Sequence, residues 1–258
     1  MGSEQDTRSP AASLGLLDAT MVGIGAMIGA GIFVLTGLAA RIAGPAALLV
    51  FVLNGGVTLF TALSYAELAS AIPKNGGGYA YIRETFSAPI AFVMGWTRWF
   101  TYMAAGALYA LGFSSNFIEF IHLYWGGLPA GPIWQVGYAL LAVVSFVMLN
   151  ALSTEASGGA ETLVTLVKIG ILIVFIFFGI SAVSSATFFG IDPGAAPTVS
   201  DFFSKGATKV LPAMGLTFIA FQGYDLIATV TEEVENPKKN IPRAIFISLG
   251  VTVLIYLL

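Results

Sequence analysis

The chain has 258 residues, of which 57% are hydrophobic and 10% charged. A water-soluble domain carries about 25% charged residues, so composition excludes a soluble globular protein and points to an integral membrane protein. Cysteine is absent, histidine occurs once and the net charge of −3 comes without a basic run, which removes disulfide frameworks, cysteine zinc sites and nucleic acid as a partner.

A helix crosses a bilayer with roughly 20 apolar residues, and the uncharged stretches supply them. They predict spans near 17–41, 46–70, 88–118, 133–151, 162–186, 207–231 and from 243 onward. The first stretch is not a signal peptide: Glu4, Asp6, Arg8 and Pro10 precede it in place of a basic n-region, and it is too long for an h-region. It reads Gly23-Ile-Gly-Ala-Met-Ile-Gly-Ala-Gly31, four glycines in nine residues. Each interior glycine costs a helix about 1 kcal/mol relative to alanine, so the span is expected to break near 27–31. The alternative is a Gly25-x-x-x-Gly29 packing face. A dinucleotide loop is excluded, since Ile28 stands where glycine is needed.

Span three carries Arg98 between Trp96 and Trp99; we read it as an interfacial anchor rather than a ligand. Trp125 and Trp134 take the same anchoring role, and His122 falls in an outer loop. Lys168 lies seven residues past Glu161, about 10 Å into span five by helical rise. It either snorkels to the interface or is a proton site, because burial in low dielectric eases loss of the ammonium proton. Span six contains Phe218-Ile-Ala-Phe-Gln-Gly-Tyr-Asp225, with apolar Leu226–Val230 beyond it. A helix that breaks near 219–225 and restarts fits this run better than one that ends at Gln222, and Asp225 is placed to cap the second half.

Interrupted spans one and six occupy matching positions of two five-span blocks, the pattern of an inverted-repeat transporter. The fold expected is an all-α polytopic membrane protein of the leucine-transporter type, with a five-plus-five inverted repeat. Residues 1–16 form a cytoplasmic tail, 17–186 the complete first repeat, and 187–258 the start of a truncated second. Arg8, Lys74, Arg83, Lys238, Lys239 and Arg243 fall on the N-terminal side of the membrane, against Arg41, Lys205 and Lys209 opposite. This charge bias puts the N-terminus in the cytoplasm of a multi-pass cell-membrane protein. The last span reaches Leu258 after about 15 residues, short of a full crossing, which reads as the front of a longer chain.

Three segments carry a resemblance to a known family. Gly23 to Phe33 (GIGAMIGAGIF) resembles the first-span motif of the amino acid–polyamine–organocation transporters. Ser64 to Tyr81 (SYAELASAIPKNGGGYAY) is similar to their second-span exit, and Thr231 to Ile245 (TEEVENPKKNIPRAI) to their loop between spans six and seven. The resemblance implies a chain of twelve spans or more, with the remainder, spans eight onward, as an expected partner of this portion. It implies that Met27, Ile28, Gly29, Ala30 and Gly31 receive a substrate carboxylate on the backbone of the first break, where half-helix N–H groups suit an anion. The substrate ammonium would meet carbonyls at Ile219, Ala220 and Gln222, with Phe221 either a lid or ordinary packing. Lys168 resembles the lysine that takes the place of a sodium site in sodium-independent members, which favours the proton role, with its span-one partner a carbonyl near Gly23 to Gly25.

Glu67 and Tyr102 are gating candidates, although Glu67 also fits a solvated helix end. Where some relatives that handle cationic substrates carry an acid, this chain has Thr101, which favours neutral substrates. The function implied is a secondary permease moving neutral amino acids or small amines by alternating access, with protons as the coupling ion, the lipid bilayer as its solvent and no cofactor or metal. A membrane enzyme is disfavoured by the lack of H-E-x-x-H, G-x-S-x-G and cysteine motifs, and a channel by the lack of a continuous polar lining. Should the chain end at 258, a non-transporting or partner-dependent membrane protein is the alternative.

Overall fold

The computed structural model describes residues 14–124, 126–127, 129, 131–152, 157–192 and 194–258. Most of the expected N-terminal tail, Arg8 included, lies outside the described residues, as does Trp125. Among the described residues the structure is helical and the only β pairing is an isolated bridge between Leu14 and Val234.

Helix α1 (Leu16–Met27) begins at Gly15, whose N–H donates to the Asp18 carboxylate at 2.9 Å, a first-turn acid that complements the positive helix end. It stops at Ile28, and α2 (Ala30–Ala43) starts from extended Gly29. Gly44, with φ of +62°, turns the chain into a short 3₁₀ segment at Pro45, and α3 (Ala47–Ala71) follows. Next come α4 (Gly78–Thr85), α5 (Ala88–Tyr124), α6 (Pro132–Leu152), α7 (Ser157–Ala182), α8 (Ser185–Phe189) and α9 (Val199–Phe202). Helix α10 (Val210–Thr217) tightens into 3₁₀ geometry over Phe218–Phe221, and the backbone is extended at Gln222. It resumes as a 3₁₀ segment over Tyr224–Glu233 before α11 (Pro237–Leu257).

Among the described residues, four helical segments are long and apolar enough to cross a membrane, 31–71, 163–182, 199–233 and 237–257, while Leu16–Met27 is a shorter apolar helix. The first span is thus two pieces, neither of which crosses alone. Helix α5 spans 37 residues, about 55 Å by rise, yet Arg98, Asn116 and Glu119 dilute its apolar content. Helix α11 starts six residues before the expected 243, because Pro237 sits in its first turn, where a missing N–H costs nothing.

The buried core lies where the two interrupted spans meet α3 and α11: Met27, Ile28, Phe51, Phe221, Ile227, Ile241 and Ile245 are all within it. Asn54 of α3, 1% exposed, donates to the Met214 carbonyl at 3.2 Å and to the Thr217 hydroxyl at 3.0 Å, fixing α3 to α10. Helix α1 packs on α7, α11 and the Tyr224–Glu233 segment, whereas α2 packs on α10, α3 and α5. Outward on α7, Phe175, Phe177 and Phe178 are 74%, 71% and 65% exposed, a face that calls for an apolar solvent rather than water.

One end of the bundle is stitched by loops. Leu14 donates to Glu233 and accepts from Glu235 through their backbones, at 3.0 and 2.9 Å. Asn75 Oδ1 accepts from the Glu232 N–H at 2.8 Å, and Ser70 Oγ donates to the Lys238 carbonyl at 3.2 Å.

Candidate functional site at the crossing of two interrupted helices

The two interruptions lie against each other. At Gly223, with φ of +131°, a Cβ would stand 2.7 Å from the backbone of Ala26 and Met27; glycine alone combines that conformation with that approach. At Gly31 a Cβ would stand 3.0 Å from the Ala220 Cα. The residues singled out around 27–31 and 219–222 therefore meet, although 188 or more positions separate them in sequence.

Hydrogen bonding at this crossing is partly taken. The Met27 carbonyl accepts from the Gly29 N–H at 2.8 Å and from the Tyr256 hydroxyl at 2.7 Å. The same hydroxyl lies 2.9 Å from the Ala220 carbonyl. The Ile219 carbonyl faces the Tyr109 hydroxyl at 3.4 Å and the Gln222 N–H at 3.2 Å. At the start of α2 the first N–H groups have no intrahelical acceptor, and Gly29 offers no side-chain cap. Phe221 is 1% exposed, with its ring edge-on to Tyr256 at 5.2 Å and tilted against Phe51 at 6.2 Å. It forms part of the packed core in this conformation.

On the far side of α1, Lys168 Nζ donates to the Gly25 carbonyl at 2.9 Å. A Cβ on Gly25 would overlap the Thr165 hydroxyl, so the missing side chain lets α7 approach closely enough for the contact. Thr165 is itself 1% exposed, and its hydroxyl is buried without a hydrogen-bond partner.

Arg98 is not the exposed interfacial anchor that its tryptophan neighbours suggested. Its side chain, 17% exposed, pairs with Asp225 at 2.9 Å. Its guanidinium also donates to the Tyr65 and Tyr102 hydroxyls, each at 3.2 Å. Tyr102 donates in turn to the same Asp225 oxygen at 2.7 Å, while Asp225 Oδ1 accepts from the Gly223 N–H at 3.3 Å. Asp225 thus holds the local turn and forms an ion pair as well. The sequence did carry a signal: an ionisable residue within an apolar span calls for a partner, and Arg98 and Asp225 were each such a residue. Tyr256 and Thr165 carried none, being single polar side chains in helical runs.

These groups line a cavity of about 270 Å³ whose wall includes Thr61, Thr101, Phe221, Gln222 and the Arg98–Asp225 pair. Tyr102 belongs to it. Glu67 does not; it is exposed on α3 outside the cluster. Beside the cavity, on the connecting helix α4, burial pushes the Tyr81 hydroxyl up to about 12, so it stays neutral. The described residues contain no group of three or more His, Asp or Glu side chains able to hold a metal ion.

Comparison with known proteins matches residues 14–258 to the family described as "Amino acid permease". The chain is 35% identical over 255 residues to the branched-chain amino acid permease BcaP of Bacillus subtilis, covering 94% of this chain and 52% of that protein. It is 32% identical to the methylthioribose transporter of the same organism, covering 100% and 56%. It is 31% identical to the chloroplastic cationic amino acid transporter 7 of Arabidopsis thaliana, covering 92% and 42%. The chain spans about half the length of these relatives.

Proposed function

This chain belongs to the amino acid permease family and is a multi-pass membrane protein, and from that premise we propose that the whole protein is a secondary transporter of neutral amino acids driven by protons. The contact between Lys168 Nζ and the Gly25 carbonyl carries this reading. It ties the ionisable group of α7 to the helix that ends at the first interruption. An ammonium donates to that carbonyl; a neutral amine donates more weakly and no longer carries charge. Protonation of Lys168 is therefore coupled to the position of α1.

In this reading the substrate carboxylate is received on the backbone of the first break, Met27, Ile28, Gly29, Ala30 and Gly31, where the N–H groups of Ala30 and Gly31 at the start of α2 present its positive pole. The ammonium is received by the carbonyls of Ile219, Ala220 and Gln222 at the negative end of the α10 turn. Loading requires the Tyr256 hydroxyl to leave one of its two carbonyls, and Phe221 to rotate over the occupant. The repeat assignment 17–186 and 187–258, with residues 1–16 as a cytoplasmic tail at the cell membrane, belongs to the same proposal. Tyr102 and Glu67 are its gating residues.

The test is uptake of labelled leucine by the full-length protein in proteoliposomes, with and without an inward proton gradient. Gradient-stimulated uptake is expected, and Lys168→Ala should insert normally yet lose the stimulation. Stimulation that persists in Lys168→Ala overturns the proton role; absence of uptake of any amino acid by the wild type overturns the function.

A further inference from the structure

The relatives divide over substrate charge, since one is named for branched-chain and another for cationic amino acids. Membership of the family therefore leaves the charge class open, and the cavity beside the second interruption speaks to it.

Asp225 is the acid of that cavity. Its carboxylate is held in place by the Gly223 N–H on one oxygen and the Tyr102 hydroxyl on the other. Gly223, two residues before it, abuts Ala26 and Met27. Phe221 and Gln222 of the second interruption wall the same cavity, so an occupant held by that interruption shares a cavity with Asp225. A fixed, largely buried carboxylate in that wall is a natural receptor for a lysine or arginine side chain, because leaving it without a cation is costly.

Arg98 already occupies that place. It meets Asp225 at 2.9 Å, is braced by Tyr65 and Tyr102, and lies 5.4 Å from the centroid of the Tyr102 ring. A planar guanidinium held by several acceptors is pre-organised and surrenders its partner reluctantly. The pair is neutral as a whole, and the surrounding Thr61, Thr101, Phe221 and Gln222 carry no charge.

We propose that Arg98 sets the substrate class: its guanidinium stands in for a cationic side chain on Asp225, so the cavity rejects lysine and arginine and admits amino acids with neutral side chains. This inference rests on the transporter reading above, and its test is separable from it.

The full-length protein is assayed for leucine uptake with unlabelled lysine or arginine as competitor. Wild type should be insensitive to both. Arg98→Gln should become sensitive, with competition strengthened by at least about tenfold, the order expected for one new charge-assisted contact. Adding Asp225→Asn to Arg98→Gln should abolish the gain, and Arg98→Lys should keep the exclusion. Arg98→Met, which retains the bulk of the stem, carries the same expectation should Arg98→Gln fail to insert. Competition unchanged in the neutralised variants, or a gain that survives Asp225→Asn, overturns the proposal. So does loss of all uptake in correctly inserted Arg98→Gln and Arg98→Met, which would make the pair a strut needed for transport. Wild type that transports no amino acid at all refutes the transporter reading instead.

Discussion

The hydroxyl of Tyr256 stands 2.7 Å from the carbonyl oxygen of Met27. It also lies 2.9 Å from the Ala220 carbonyl, so one proton is shared between the last turn of α1 and the last turn of the α10 segment. Tyr256 is 7% exposed, and Met27 and Ala220 are 1% exposed each, so the hydroxyl bonds both carbonyls inside the packed core.

Tyr256→Phe keeps the ring against Phe51 and Phe221 and removes only this bond. An orphaned buried polar group costs about 1–3 kcal/mol. Thermal unfolding of the full-length protein in detergent should shift down, by a few degrees at most given its length. An unchanged midpoint would show that the hydroxyl contributes nothing net.

Gly223→Ala brings two penalties to one position. The φ of +131° suits glycine, and the new methyl would meet the Ala26 and Met27 backbone at 2.7 Å. Backbone strain of this kind costs about 1–3 kcal/mol before the overlap is counted. The expected result is a lower unfolding temperature and a lower yield of monodisperse protein on size exclusion. Wild-type behaviour in both would show that the two interruptions separate easily.

One exposed acid makes a prediction about pH. Lys74, at 2.7 Å, holds the Glu84 carboxyl below its ordinary range, by hydrogen bond and then by charge. Its folded value lies below the unfolded one, so its contribution is complete above the unfolded value, about pH 4. It is lost only as pH falls through the lower folded value. Glu84→Gln should therefore leave the pH profile of uptake unmoved between about pH 5.5 and 8. A shifted profile would place this acid in the coupling path.

Charge spacing alone located much of the helical layout. The uncharged run after Arg41 matches α3 at 47–71, and the run after Glu119 contains α6 at 132–152. Glycine density marked the place where α1 gives way to α2, because four glycines in nine residues remove helical preference and side-chain bulk together. The charges of Lys238, Lys239 and Arg243 suggest a connecting loop, yet Pro237 already opens α11 and all three lie within it. What the sequence could not convey was who meets whom. Arg98 and Asp225 were each visible as ionisable residues in apolar runs, yet their union depends on how α5 lies against the second interruption. Tyr256 is one hydroxyl in an apolar helix, and its two carbonyl partners come from distant segments. Pairings 36 to 229 positions apart are fixed by packing, which no local spacing encodes.

The partition of neighbours along the first span has a mechanical consequence. A push from α7 reaches α1 by direct packing, and its covalent path on to α2 runs through the two peptide units at Ile28 and Gly29. A continuous column would tilt as a rod. Jointed there, its N-terminal piece is a 12-residue lever, about 18 Å long, and a rotation of about 20° at the joint displaces its free end by about 6 Å. The piece beyond the joint need not turn at all, so a small rearrangement at α7 can sweep a wide arc at one membrane face and leave the other still.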